Sequence, residues 1–98
     1  MATFISTIKF TDRGIADIKN TCQRAKSFEN SAQKMGIKVH DILWTAGPFD
    51  GLIVFDAPDD QAVAALMLRL SSAGYIHTQT SRAYRPEEME SILELMSS

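Results

Sequence analysis

A row of polar side chains near the end of the chain has the spacing of an anion-binding site. Thr78, Thr80 and Arg82 occupy alternate positions, so they share one face if this segment is a strand. Two hydroxyl groups and a guanidinium in line suit a carboxylate or another anion. The structural alternative is cross-strand hydrogen bonding together with an ion pair to Asp56 or to a carboxylate in a turn. Both interpretations stay open at this point.

Candidates for acid–base catalysis are few and weak. Asp50 would act as a general base only if burial raised its pKa, whereas an Asp50-Gly51 turn more often uses the carboxylate to accept backbone N–H groups. His40 and His77 are the two histidines of the chain. With one cysteine they form no metal-ligand spacing, so we predict neither a metal nor a cofactor. Cys22 lies in an apolar helical stripe, which predicts a buried, inert thiol.

Composition limits the class of protein. The chain has 98 residues, 45% of them hydrophobic and 22% charged, with a formal net charge of −2. This size predicts a single domain, residues 1–98. Scattered basic residues predict no nucleic-acid partner, and the absence of a long apolar run predicts no membrane association. A single cysteine is typical of a reducing compartment, which predicts a cytoplasmic location.

The hydrophobic periodicity alternates between that of strands and that of helices. It predicts strands over residues 4–10, 37–45, 52–56 and 75–84, and helices over 15–35, from 59 or 60 to 73, and from 86 onward. Gly36 and Gly74 stand where a helix commonly ends in a left-handed residue. The order β-α-β-β-α-β predicts an α+β, ferredoxin-like sandwich with a four-stranded antiparallel sheet and an extra C-terminal helix.

The third strand is apolar on both faces, with Leu52 and Val54 on one and Ile53 and Phe55 on the other. Two helices can cover only one face of the sheet. A second copy of the sheet is the economical cover for the other face, which predicts a sheet-to-sheet homodimer, an α+β barrel. The rival cover is the C-terminal helix folded back over its own sheet.

A cavity between two such sheets is the predicted binding site. If the polar row faces the partner, it would line this cavity together with Lys9, Trp44 or Tyr84. If His40 shares the face of Trp44 and His77 lies in the middle of its strand, the two histidines would line one cavity near Asp50. Alternation along the second strand places Val39, Leu43 and Thr45 on one face and Lys38, His40, Ile42 and Trp44 on the other.

Short segments spread over nearly the whole chain carry a family resemblance. They are Lys9-Phe10-Thr11, Gly14-Ile15, Ile18-Lys19, Trp44-Thr45, Gly47, Asp50, Ala57-Pro58-Asp59-Asp60, Gly74, Thr78-Gln79-Thr80 and Arg82-Ala83. Together they resemble the GYD domain family, small bacterial and archaeal proteins related in fold to dimeric α+β barrels. The resemblance implies the fold and the dimer, and it implies no particular chemistry. Phe49 stands where the family usually has tyrosine, so no role that needs a phenol is expected there.

The sequence therefore predicts a cytoplasmic homodimer, or a higher homo-oligomer, that binds a small anionic or aromatic metabolite between its sheets. The predicted ligand-binding residues are Thr78, Thr80, Arg82, Trp44 and Lys9. One alternative is a cofactor-free enzyme of the dimeric α+β barrel type, with Asp50, His40 or His77 as the base. Another is a structural or assembly module.

Overall fold

Four strands and four helices make up the described residues, 1–97, of a computed structural model. The strands are β1 (Ala2–Phe10), β2 (Lys38–Trp44), β3 (Gly51–Ala57) and β4 (Ile76–Ala83). The helices are α1 (Asp12–Ala16), α2 (Thr21–Lys34), α3 (Asp60–Ser72) and α4 (Pro86–Ser97). A 3₁₀ turn, Ile18–Asn20, separates α1 from α2.

The strands form one antiparallel sheet in the order β2-β3-β1-β4. Each outer strand pairs with one of the two central strands, β1 and β3, which pair with each other. This is the strand order of the ferredoxin-like arrangement, so the predicted α+β architecture is confirmed.

Helix ends follow local sequence signals. The Asp59 carboxylate accepts a hydrogen bond from the backbone N–H of Ala62, so α3 starts where the sequence predicts. Gly36 and Gly74 follow α2 and α3 with φ angles of 75° and 83°, which side-chain-bearing residues rarely adopt.

The core lies between the helices and one face of the sheet, here called the helix side. Its buried residues are Phe4, Ile8, Phe28, Ala32, Ile37, Ile53, Phe55, Ala57, Val63 and Leu66. The rings of Phe4 and Phe55 stack with centroids 5.7 Å apart, which joins the two central strands. Burial alternates strictly along β3, so Leu52 and Val54 point to the opposite face, here called the open face.

The last helix does not cover the open face. No residue of α4 that the structure describes is buried, and Met89, Leu93 and Met96 are exposed. The rival cover, in which the C-terminal helix folds back over its own sheet, is therefore not adopted.

The first predicted helix is interrupted, which corrects the expectation of one helix over residues 15–35. The chain leaves helical geometry at Asp17, which has φ −108° and ψ 30°. Because the break shifts the helical phase, Ile15 and Ile18 are exposed rather than part of a continuous buried stripe. Cys22 is also exposed, so the prediction of a buried thiol is wrong.

A register shift in β2 corrects the predicted faces of that strand. The irregularity lies between Val39 and Asp41, and it places Val39 opposite Phe55 and Ile42 opposite Ile53. Val39 and Ile42 therefore share the helix side, and Leu43, opposite Leu52, lies on the open face. A regular two-residue alternation cannot predict such a bulge.

Candidate functional site

The polar row of β4 shares one face, as the alternation predicts, and this face is the helix side. Thr80 lies opposite Ser6 and Arg82 opposite Phe4, both of which point toward the helices. The Thr80 Oγ1 and Ser6 Oγ atoms are 3.0 Å apart. The row is therefore on the face that a second sheet would not cover, and it does not line a cavity between sheets.

The Arg82 guanidinium is occupied by partners within the chain. Its Nη2 lies 2.8 Å from Glu88 Oε2, and its Nη1 donates to the carbonyl oxygens of Thr3 and Ala83. The guanidinium also lies 4.6 Å from the centre of the Tyr84 ring. The hydrogen bond from Arg82 lowers the pKa of the Glu88 carboxyl group. These contacts join the sheet to the first turn of α4.

Asp50 forms hydrogen bonds with the backbone of β1. Its Oδ2 accepts a 2.9 Å hydrogen bond from the N–H of Phe10, and its own N–H donates to the carbonyl of Ile8 at 2.8 Å. This is the role that the structural interpretation of the Asp-Gly turn predicts. Lys9 lies nearby on the open face, where its Nζ donates to the Pro48 carbonyl at 3.2 Å.

The two histidines lie on the open face, away from Trp44. His40 Nε2 is 2.9 Å from Asp56 Oδ2, and His77 is opposite Lys9 in the sheet register. Trp44 points the other way, and its indole N–H donates to Thr21 Oγ1 of α2 at 3.1 Å. The condition for a histidine cavity near Asp50, that His40 share the face of Trp44, is therefore not met, because the bulge in β2 separates their faces.

Asp56 is the most strongly bound carboxylate of the open face. Burial works to raise the pKa of its carboxyl group. Hydrogen bonds from Thr3, at 2.6 Å, and from His40 outweigh burial and hold that pKa below its ordinary value of 3.8. Arg85 adds a longer contact of 4.0 Å. Within residues 1–97, no group of three or more His, Cys, Asp or Glu side chains is arranged to hold a metal ion.

A cavity of about 360 Å³ lies on the helix side, between α2, α3 and one end of the sheet. Its apolar lining includes Ile8, Phe10, Phe28, Ile42, Ile53, Leu66 and Leu70. Its polar lining includes Thr21, Arg24, Trp44, Asp50, Arg69 and Tyr75. Of the predicted site residues, Trp44 and Asp50 lie at this cavity, whereas the polar row and Lys9 do not line it.

Arg24 is the most unusual residue of the cavity. Its Nη1 donates to the carbonyl oxygen and to the carboxylate of Asp17, at 2.9 and 2.8 Å. Its guanidinium carbon lies 4.5 Å from the centre of the Tyr75 ring. Its Nη2 is buried without a hydrogen-bond partner among the described residues. Neither Arg24 nor Tyr75 stood out in the sequence, because their contact joins α2 to the segment before β4.

The fold and its surfaces define a small α+β protein of the ferredoxin-like class. No helix within residues 1–97 is long and apolar enough to cross a membrane.

Comparison with known proteins gives the family. The family model described as GYD domain matches residues 4–93, and the chain belongs to this family. A similar protein from Thermus thermophilus is named glutamine synthetase and cystathionine beta-lyase binding protein. It is 32% identical over 84 residues, which cover 85% of this chain and 88% of the relative. No solved structure gives a significant match.

Proposed function

We propose that the protein is a non-catalytic binding protein that docks on a metabolic enzyme through α4. The observation that carries this proposal is the apolar stripe of α4, formed by Met89, Ile92, Leu93 and Met96. Met89 and Leu93 are each 45% exposed and Met96 is 79% exposed, although all three are large and hydrophobic. An amphipathic helix of this kind binds an apolar groove of a partner through side chains spaced three and four residues apart.

The charges of α4 indicate what kind of partner groove would bind this helix. The helix has four glutamates and no basic residue. Two copies of α4 side by side would bring like charges together, which disfavours a helix-to-helix homodimer. An apolar groove bordered by lysine or arginine side chains is the complementary surface.

The base of α4 is fixed to the sheet. Glu88 binds Arg82 through Oε2 and accepts the backbone N–H of Arg85 through Oε1 at 3.2 Å. The second contact is half of a capping box, in which a third-position glutamate reaches back to the residue before the helix. The sheet therefore presents the remaining turns of α4 in a defined direction, which reduces the entropy lost on binding.

The name of the Thermus relative supports the choice of partner class. Because that protein is named for binding glutamine synthetase and cystathionine beta-lyase, these two enzymes from the protein's own organism are the first partners to test. The cytoplasmic location predicted from the sequence belongs with this proposal. The single cysteine is free and exposed, and a reducing compartment keeps a thiol in that state.

We also propose that a second copy covers the open face, as the third strand predicts. Ile5, Leu52 and Val54 form its apolar centre. Lys9 and Lys38 lie on this face with Asp41 and Asp56, so it carries both signs of charge. A mixed surface can pair with itself about a two-fold axis, which the uniformly acidic α4 cannot do as easily.

A cofactor-free enzyme has less support. The Asp50 carboxylate is engaged by the backbone N–H of Phe10, and His40 is paired with Asp56. Neither group is directed at the cavity as a free base. Binding of a small molecule has one specific observation in its favour, the cavity of about 360 Å³ on the helix side.

The test of the docking proposal is the change Leu93→Glu. It places a carboxylate in the apolar stripe, and we expect it to weaken enzyme binding by about tenfold or more. Binding is measured by biolayer interferometry against immobilised glutamine synthetase and cystathionine beta-lyase. Leu68→Glu is the matched control, because Leu68 is an exposed leucine on α3.

Light scattering on the same two variants shows whether α4 also takes part in self-association, which is assigned here to the open face. The proposal expects both to keep the mass of the parent protein. It would be contradicted if Leu93→Glu bound either enzyme as tightly as the parent does. It would also be contradicted if this change abolished self-association, since α4 would then belong to the interface between copies.

A further inference from the structure

We infer that the cavity between α2, α3 and the sheet binds a small, uncharged and largely apolar molecule. No residue of α4 lines this cavity, so the inference does not rest on the proposed docking function. The cavity also differs from the one between two sheets that the sequence predicts.

The size and the apolar lining of the cavity fit such a ligand. Its volume of about 360 Å³ is within the range of small-molecule sites. Phe28, Leu66 and Leu70 of the two helices line it together with Ile8 and Ile53 of the sheet. Water beside these side chains finds no hydrogen-bond partner in them. An apolar ligand that displaces this water therefore gains affinity from the hydrophobic effect.

The charge of Arg24 is not available to a ligand in the cavity. Its Nη1 donates to the carbonyl oxygen and to the carboxylate of Asp17, and the ion pair measures 2.8 Å. Its Nη2 is buried, so a ligand does not reach this atom. The Tyr75 ring lies 4.5 Å from the guanidinium carbon. Arg24 is therefore a neutralised part of the wall and not an anchor for an anion.

Two other polar groups of the lining also have partners within the chain. The Asp50 carboxylate accepts the backbone N–H of Phe10 through Oδ2 at 2.9 Å. The indole N–H of Trp44 donates to the Thr21 hydroxyl at 3.1 Å. These groups are satisfied without a ligand, so they do not require a charged or strongly polar one.

The balance of charge around the cavity favours neither sign. Arg24 and Arg69 are the basic residues of the lining, and they are matched by Asp50 of the lining and by Asp17, which pairs with Arg24. Arg69 is exposed, so its charge is hydrated. A charged ligand would lose its own hydration among apolar side chains without gaining an unpaired, desolvated counter-charge. An uncharged ligand avoids this cost.

The probes are ethylbenzene, phenylacetate and 2-phenylethylammonium, which share a benzene ring and a two-carbon chain and differ in charge. Their binding is followed by amide chemical shifts in a ¹⁵N-labelled sample of the full chain. We expect ethylbenzene to bind with shifts concentrated at Ala25, Phe28 and Leu70. We expect each charged probe to bind at least about tenfold more weakly, because its charged group is desolvated without a free partner.

The change Ala25→Leu tests the location of the site. The larger side chain fills part of the cavity, and it should weaken binding of ethylbenzene by about tenfold. Ala65→Leu is the matched control, because Ala65 is an exposed helical alanine that does not line the cavity. The shift map and the ranking of the three probes are measured on the parent protein, so they decide the question even if Ala25→Leu does not fold.

Four results would overturn the inference. They are binding of either charged probe as tight as that of ethylbenzene, shifts confined to another surface, equal losses in the two alanine variants, and no binding of ethylbenzene up to its limit of solubility.

Discussion

At the scale of single residues, polar side chains of this protein mainly join segments that are distant in sequence. Asp50 accepts from Phe10, Thr3 donates to Asp56, and Trp44 donates to Thr21. The sequence shows that each of these residues is polar and near a strand end. It does not show the partner, which lies tens of residues away. The residue types were therefore predictable and their pairings were not.

The pairing of Asp56 can be tested through the pH dependence of the free energy of unfolding. Its folded-state pKa is below the ordinary 3.8, so the ionised carboxylate stabilises the fold above that pH. This contribution is lost as the pH falls through the lowered pKa. We expect Asp56→Asn to reduce the free energy of unfolding by about 1 kcal/mol at pH 7. The difference from the parent should vanish in acid.

Urea unfolding followed by circular dichroism, at neutral pH and again in acid, measures this difference. Asp41→Asn is the control, because Asp41 is an exposed aspartate one strand position from the bulge. Equal loss of stability in the two variants at pH 7 would show that the pairing of Asp56 contributes nothing.

At the scale of elements, the sequence predicts most of the fold. The alternation in β1 and β3 and the glycines after α2 and α3 all act locally, so their effects can be predicted from the chain itself. The break at Asp17 and the bulge at His40 cannot be predicted in this way. Each is accompanied by a contact with another element, because Asp17 pairs with Arg24 and His40 pairs with Asp56. Because of these two irregularities, Cys22 is exposed instead of buried, and His40 and Trp44 lie on opposite faces of the sheet.

The element that is easiest to perturb alone is α4. Because Glu88 caps its first turn and binds Arg82, Glu88→Ala, which removes both contacts, should loosen the helix and leave the core intact. We expect faster amide hydrogen exchange over residues 89–96 and unchanged exchange in the central strands.

The control is Glu90→Ala, which removes the same charge from the same helix without removing a contact to Arg82. If this change accelerated exchange in α4 as much as Glu88→Ala does, the contacts of Glu88 would not be what holds the helix in place.

At the scale of the whole molecule, two apolar surfaces are left uncovered by residues 1–97. One is the open face of the sheet and the other is the stripe of α4. The sequence predicts the first surface, because β3 is apolar on both sides. It predicts that α4 is amphipathic, but the periodicity of a terminal helix does not tell whether it packs on its own sheet.

The open face is tested by Val54→Glu. A carboxylate at the centre of a sheet-to-sheet interface would be buried without a partner, so we expect this change to convert the proposed homodimer to monomers. Light scattering gives the mass, and Leu68→Glu serves again as the exposed-site control. A parent protein that is already monomeric would refute the dimer, and a Val54→Glu protein that stays dimeric would place the interface elsewhere.

The central claim is that α4 is the surface that meets the enzyme partner. Hydrogen–deuterium exchange of the protein, alone and with saturating glutamine synthetase or cystathionine beta-lyase, tests it most directly. Protection that appears in residues 86–97 with at least one of the two enzymes, and leaves β2 and β3 unchanged, is the predicted result. Protection confined to the open face, or no change in α4 with either enzyme, would contradict the claim.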